Sequence, residues 1–82
     1  MKLKYSPQRS NEHTKVFVTG SLDWLVEVKW DGCVHIFRYL NGSTANTFDE
    51  SDVDYLHVCD LDEFAESLME LAQETKKFRE TT

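Results

Sequence analysis

The chain has no apolar run approaching the eighteen residues of a membrane-spanning helix, and its first ten residues, MKLKYSPQRS, are too polar for a secretory core. These absences lead us to expect a soluble, cytoplasmic protein. It has one proline, and all three glycines sit where turns are expected, so no glycine-rich loop is available to cradle a phosphate. There is no nucleophile elbow and no HExxH helix. Two cysteines, Cys33 and Cys59, could form one bridge, but in a reducing cytoplasm they read as buried thiols. Eighty-two residues make one small domain, near the lower limit for a self-sufficient core.

Charge of one sign is missing locally. Residues 41 to 74 carry ten acids and no lysine or arginine, whereas residues 1 to 15 carry Lys2, Lys4, Arg9 and Lys15 against Glu12 alone. The net charge of −6 argues against binding nucleic acid or an anionic membrane directly.

What is present is a β-then-α layout. KVFVT (15–19), DWLVEVKW (23–30), CVHIFRYL (33–40) and YLHVC (55–59) have the β-branched and aromatic content of strands. Asp31-Gly32 and Asn41-Gly42 predict two-residue hairpin turns. Closing the first pairs Trp30 with Cys33, Val28 with His35, Val26 with Phe37 and Trp24 with Tyr39 on one core face. Closing the second runs a strand over Ser43–Phe48 beside the third, with Phe48 opposite His35. The outer face then holds Leu25, Val34 and Ile36 among Glu27, Lys29 and Arg38.

After Cys59 the period becomes helical, with Leu61, Phe64, Ala65, Leu68, Leu71, Ala72, Thr75 and Phe78 on one stripe. Asp60 with Glu63 three residues on reads as an acidic capping box. The expected fold is α+β: an antiparallel meander of four or five strands with one C-terminal helix packed across one face. Residues 1–14 read as an arm, partly disordered or adding a short edge strand through Leu3 and Tyr5, and residues 15–80 as the domain.

Two mirror-image pairs, Cys33-Val34-His35 and His57-Val58-Cys59, offer the ligand types of a zinc site if their strands are neighbours. The expected register instead sets Cys33 beside Trp30 and His35 between Val28 and Phe48, where a small hydrophobe and a half-buried imidazole fit, so no metal or other cofactor is assigned. Cys59 with His57 offers a nucleophile and base without a third group, so no enzyme activity is expected. Asp52-Val53-Asp54 continues as a calcium loop only at Glu63, since Leu56 and His57 stand where an oxygen ligand and a glycine are needed.

The acids remain. Asp60, Asp62, Glu63 and Glu66 complement the positive end of the helix dipole. Glu66, Glu70 and Glu74 stack as like charges at i, i+4 and i+8, each neighbouring pair costing about 0.2–0.5 kcal/mol. With Asp49, Glu50, Asp52, Asp54 and Glu63 they predict an acidic surface suited to a basic groove. The run FDESDVDY, the meander and the acidic helix together resemble the small phage-encoded anti-CRISPR and anti-restriction proteins. That resemblance implies a nucleic-acid mimic that inhibits a basic nucleic-acid-binding partner. Immunity proteins or antitoxins against nuclease toxins share the size and charge. Docking through an apolar sheet face and a small structural zinc domain are the rival readings.

Overall fold

The computed structural model describes residues 2–80. The apolar and β-branched runs form five strands among the described residues: β1 (Leu3–Tyr5), β2 (Thr14–Thr19), β3 (Trp24–Lys29), β4 (Val34–Tyr39) and β5 (Val53–Val58). Each pairs antiparallel with the next, giving one open sheet in the order β1-β2-β3-β4-β5. The helix α1 (Leu61–Glu80) follows, so the layout is α+β as expected. Its start is fixed by Asp60, whose carboxylate accepts the Glu63 backbone N–H at 3.1 Å.

Residues 2–14 are tied to the sheet. Leu3–Tyr5 pairs with Phe17–Thr19, and a 3₁₀ turn follows at Pro7–Arg9. The Ser6 N–H donates to the Val16 carbonyl at 2.7 Å, and the Val16 N–H donates to Ser10 Oγ at 2.8 Å. Val16, thus enclosed, is one of only three buried apolar side chains among the described residues, with Val34 and Tyr39.

Two registers differ from the sequence reading. The β3–β4 connection is longer than a two-residue hairpin: the Gly32 N–H donates to the Lys29 carbonyl, the Lys29 N–H to the Cys33 carbonyl, and Gly32 takes φ +90°. A three-residue loop ending on a left-handed glycine is the next commonest hairpin solution. It shifts the pairing by one, so Val28 opposes Val34, Glu27 opposes His35, Leu25 opposes Phe37 and Trp24 opposes Arg38. A one-residue shift exchanges faces. Trp24, Val26 and Val28 therefore share a face with Val34, Ile36 and Arg38, while Leu25 joins His35 and Phe37 on the other. The proposed outer trio of Leu25, Val34 and Ile36 is split between faces, and Val34 is buried.

The Asn41-Gly42 turn forms as expected, with both residues at positive φ and the Ser43 N–H donating to the Leu40 carbonyl. No strand continues from it. Residues 43–48 form a loop with a single Thr44–Thr47 bridge, and β5 takes the place beside β4. The Leu40 N–H donates to the Asp52 carbonyl at 2.7 Å, so pairing resumes only after the loop. Phe48 packs on Tyr39, ring centroids 5.4 Å apart, and His35 lies opposite His57 instead.

The helix does not lie across the sheet. None of its described residues is buried, and Leu68, Leu71 and Phe78 are exposed. Only Phe64 is partly covered, in a shallow groove with Trp24, Ile36, Arg38, Asp54 and Leu56. The shifted register explains this. It divides the apolar side chains between two faces and puts Arg38, with Asp54 opposite it, on the face the helix was expected to cover, where Lys15 also stands opposite Val28. The radius of gyration, 14.9 Å, exceeds the ~12 Å of a compact chain of this length.

Candidate functional site

The acidic residues fall into two groups that meet at the start of α1. Asp49 opens the 3₁₀ turn Glu50–Asp52, accepting the Ser51 N–H at 3.1 Å and the Ser51 hydroxyl at 3.0 Å. The backbone bond, then the hydroxyl bond, hold its carboxyl below the usual value. Asp52 accepts from Asn41 Nδ2 at 2.9 Å and Ser43 Oγ at 3.4 Å, which fastens the Asn41-Gly42 turn to the start of β5. Asp49 and Asp52 thus have local structural work. Glu50 and Asp54 are exposed, and Asp54 opposes Arg38 across the β4–β5 pair. Arg38 in turn lies over the Trp24 ring at 5.6 Å.

The second group, Glu63, Glu66, Glu70 and Glu74, is exposed along α1. A rise of 1.5 Å per residue spaces the last three by about 6 Å on one side. Glu74 pairs with Lys77 at 3.5 Å; none of the other seven acids is in an ion pair among the described residues. Phe64 and Asp54 line the same groove, so the first helical turns bring the two groups together. Lys2, Lys4 and Lys15 lie beside or on β1 and β2, at the opposite side of the sheet from β5, whereas Arg9 reaches the loop over residues 43–48. Three to four strand spacings of about 4.8 Å put roughly 14–19 Å between those strands and β5. Arg9 donates to the Asn46 side chain rather than to an acid.

On the face opposite Trp24, β4 and β5 set Cys33, His35, His57 and Cys59 side by side. His35 opposes His57 in register, their rings edge-on at 4.5 Å between centroids. His57 Nε2 is 3.7 Å from Cys59 Sγ, and the Cys33 thiol points to the Cys59 carbonyl at 3.9 Å. Partial burial raises the Cys33 thiol above its ordinary value, and Cys59 and the Asp31 charge act the same way.

The chain matches no protein family, no curated protein and no solved structure. Its own geometry carries the functional reading. No described helix is long and apolar enough to cross a membrane.

Two features escaped the sequence reading. Arg38 faces the acidic strand opposite Asp54, a pairing for which the expected Ser43–Phe48 strand leaves no room. The helical stripe also carries a stricter signal: Leu61, Phe64, Leu68, Leu71, Thr75 and Phe78 recur at intervals of 3, 4, 3, 4 and 3. That is the a/d seam of a heptad pattern, which needs no sheet to explain it.

Proposed function

We propose that this is a non-enzymatic binding protein that occupies the cationic surface of a basic, nucleic-acid-handling partner. The contact residues are Asp49, Glu50, Asp52, Asp54, Glu63, Glu66, Glu70 and Glu74, in the manner of an anti-CRISPR-like nucleic-acid mimic. The supporting observation is the segregation of charge: the acids line β5 and α1 with one ion pair among them, while the arm's lysines lie across the sheet and Arg9 meets Asn46 rather than an acid. Carboxylates about 6 Å apart on a helix follow a phosphate backbone in sign and approximate spacing. Such a surface accelerates association, excludes nucleic acid from the partner's groove and weakens with salt. It acts where the partner acts, in the cytoplasm, of the host if the protein is phage-encoded. A nuclease toxin neutralised by its immunity protein is a partner of the same chemistry. The protein itself engages neither nucleic acid nor membrane.

The test uses exposed acids whose side chains make no hydrogen bond among the described residues. Wild type and an Asp54→Lys, Glu66→Lys, Glu70→Lys variant are compared as bait in cell lysate. The specific prey is released by excess duplex DNA and by raising salt from about 50 to about 500 mM, and is lost with the variant. A prey retained by the variant and indifferent to DNA overturns the reading.

A further inference from the structure

We propose that Cys33, His57 and Cys59 bind a zinc-class divalent cation, with His35 closing the fourth position. The sequence made convergence conditional on the two Cys/His pairs occupying neighbouring strands, and β4 and β5 are neighbours in register. Val34 opposes Val58 and His35 opposes His57, so alternation puts all four ligand-type side chains on one face.

Distances support the set. One ligand atom from each of Cys33, His57 and Cys59 lies within 4.8 Å of the other two. Bond lengths of 2.3 Å to sulfur and about 2.05 Å to nitrogen give a tetrahedral site ligand separations of about 3.8 Å (S to S) and 3.6 Å (S to N). The 3.7 Å from Cys59 Sγ to His57 Nε2 already meets that requirement, and the remaining adjustment is at most about 1 Å.

The backbone allows that adjustment. Cys33 and Cys59 lie one residue outside the paired segments, Cys33 after Gly32 at φ +90° and Cys59 before the helix cap Asp60. Cys59 is therefore not held to the parallel projection of a strand interior, the usual obstacle to chelation by i, i+2 positions, while Cys33 keeps its backbone bonds to Lys29 and Asp31 and adjusts by rotation of its side chain. His35 stands edge-on to His57 with Glu27 Oε1 3.7 Å from its Nδ1. A carboxylate behind one imidazole nitrogen commonly orients the other toward a metal.

Two sulfurs and imidazole nitrogen select zinc or cobalt over calcium or magnesium, which prefer oxygen. Binding converts two thiols to thiolates and releases their protons to solvent. The bound ion joins the Gly32 turn to the junction of β5 and α1, and so fixes where the helix leaves the sheet.

The experiment titrates fully reduced protein with Co(II), reads the thiolate-to-cobalt charge-transfer and tetrahedral d–d bands, and then displaces the cobalt with Zn(II). The expected result is one ion per chain by native mass spectrometry, with both bands present and quenched by zinc. Cys33→Ser and Cys59→Ser lose the site while keeping the wild-type circular dichroism spectrum, and His35→Ala weakens it about ten- to a hundredfold. The proposal is overturned by the absence of a saturable band, by one ion shared between two chains, or by undiminished binding in either serine variant. His57→Ala gives an independent check should a serine variant fail to fold, and binding unchanged in it also overturns the site.

Discussion

The division of apolar residues between two sheet faces makes a quantitative prediction about where the stability resides. Val16 and Val34 are only 2% and 3% exposed, whereas Leu71, on the helical seam, is 61% exposed. Truncating either valine to alanine removes about two methyl groups at roughly 0.8 kcal/mol each and leaves a small cavity, so each costs about 2 kcal/mol. A chain of this size holds on the order of 4–12 kcal/mol in total, and a one-layer sheet belongs near the bottom of that range. Either valine variant therefore shifts the urea midpoint by a large fraction of its value. Leu71→Ala removes side-chain area that is mostly in water already and gains a few tenths of a kcal/mol in helix propensity, so its cost is about 0.5 kcal/mol or less. Were the stripe packed on the sheet, the same change would cost about 2–5 kcal/mol. Urea unfolding followed by tryptophan fluorescence reports the sheet, since Trp24 lies in β3 and Trp30 just after it. A Leu71→Ala cost above 2 kcal/mol would refute the claim that the shifted register leaves the helix without a bed.

Three further outcomes follow from the same geometry. Asp23 accepts hydroxyl bonds from Ser21 and, at 2.6 Å, from Thr19, and the Ser21 bond, then the Thr19 bond, lower its pKa below the ordinary 3.8. A folded-state pKa below the unfolded one gives stability that is present above the unfolded value and lost as pH falls through the folded one; a carboxyl NMR titration should place the Asp23 midpoint below 3.8, and Ser21→Ala should raise it. Glu70→Lys relieves two like-charge pairs on α1 and replaces them with opposite ones, so thermal melts should show higher stability, by about 0.8–2 kcal/mol, even as capture of the proposed partner falls. Gly32→Ala puts a Cβ at φ +90° and should cost about 1–2 kcal/mol in urea unfolding, with weaker cobalt binding because Cys33 is displaced.

Features set by nearest neighbours were legible in the sequence. Asp60 caps α1, Asn41-Gly42 makes its left-handed turn, and the β-branched runs form strands, because each depends on dihedral preference and a few local hydrogen bonds. Features set by counting across a loop were not. Whether Asp31-Gly32 closes over two residues or three is decided by a small difference in turn energy, yet it exchanges the faces of every residue beyond it. The Ser43–Phe48 segment failed as a strand for a related reason: Val53–Val58, richer in β-branched and aromatic side chains, competes for the same edge of β4 and wins. That single substitution of partners removed Phe48 from His35 and put His57 there.

The same competition separates the acids that have an architectural reason from those that do not. β5 is the outermost strand and offers a free row of backbone donors and acceptors, which proteins commonly guard with charge. Asp54 serves that purpose whatever the protein binds, and Asp49 and Asp52 are committed to their turns. Glu63 belongs to the helix's first turn, where an acid is favourable for electrostatic reasons alone. Glu66 lies beyond the first turn and keeps little of that benefit, and Glu70 and Glu74 have none of it: the three repel one another along an exposed helix, and one lysine, Lys77, answers the last of them. Under the proposed function, that repulsion is offset on a cationic partner surface. A Glu66→Gln, Glu70→Gln pair, which removes the repulsion without adding positive charge, should therefore leave the protein at least as stable while slowing association with its basic partner and flattening the salt dependence of that association. Stopped-flow association rates across a salt series measure this directly. Unchanged rates in the double variant would assign the helical acids to solvation and return the binding surface to the rim of the sheet.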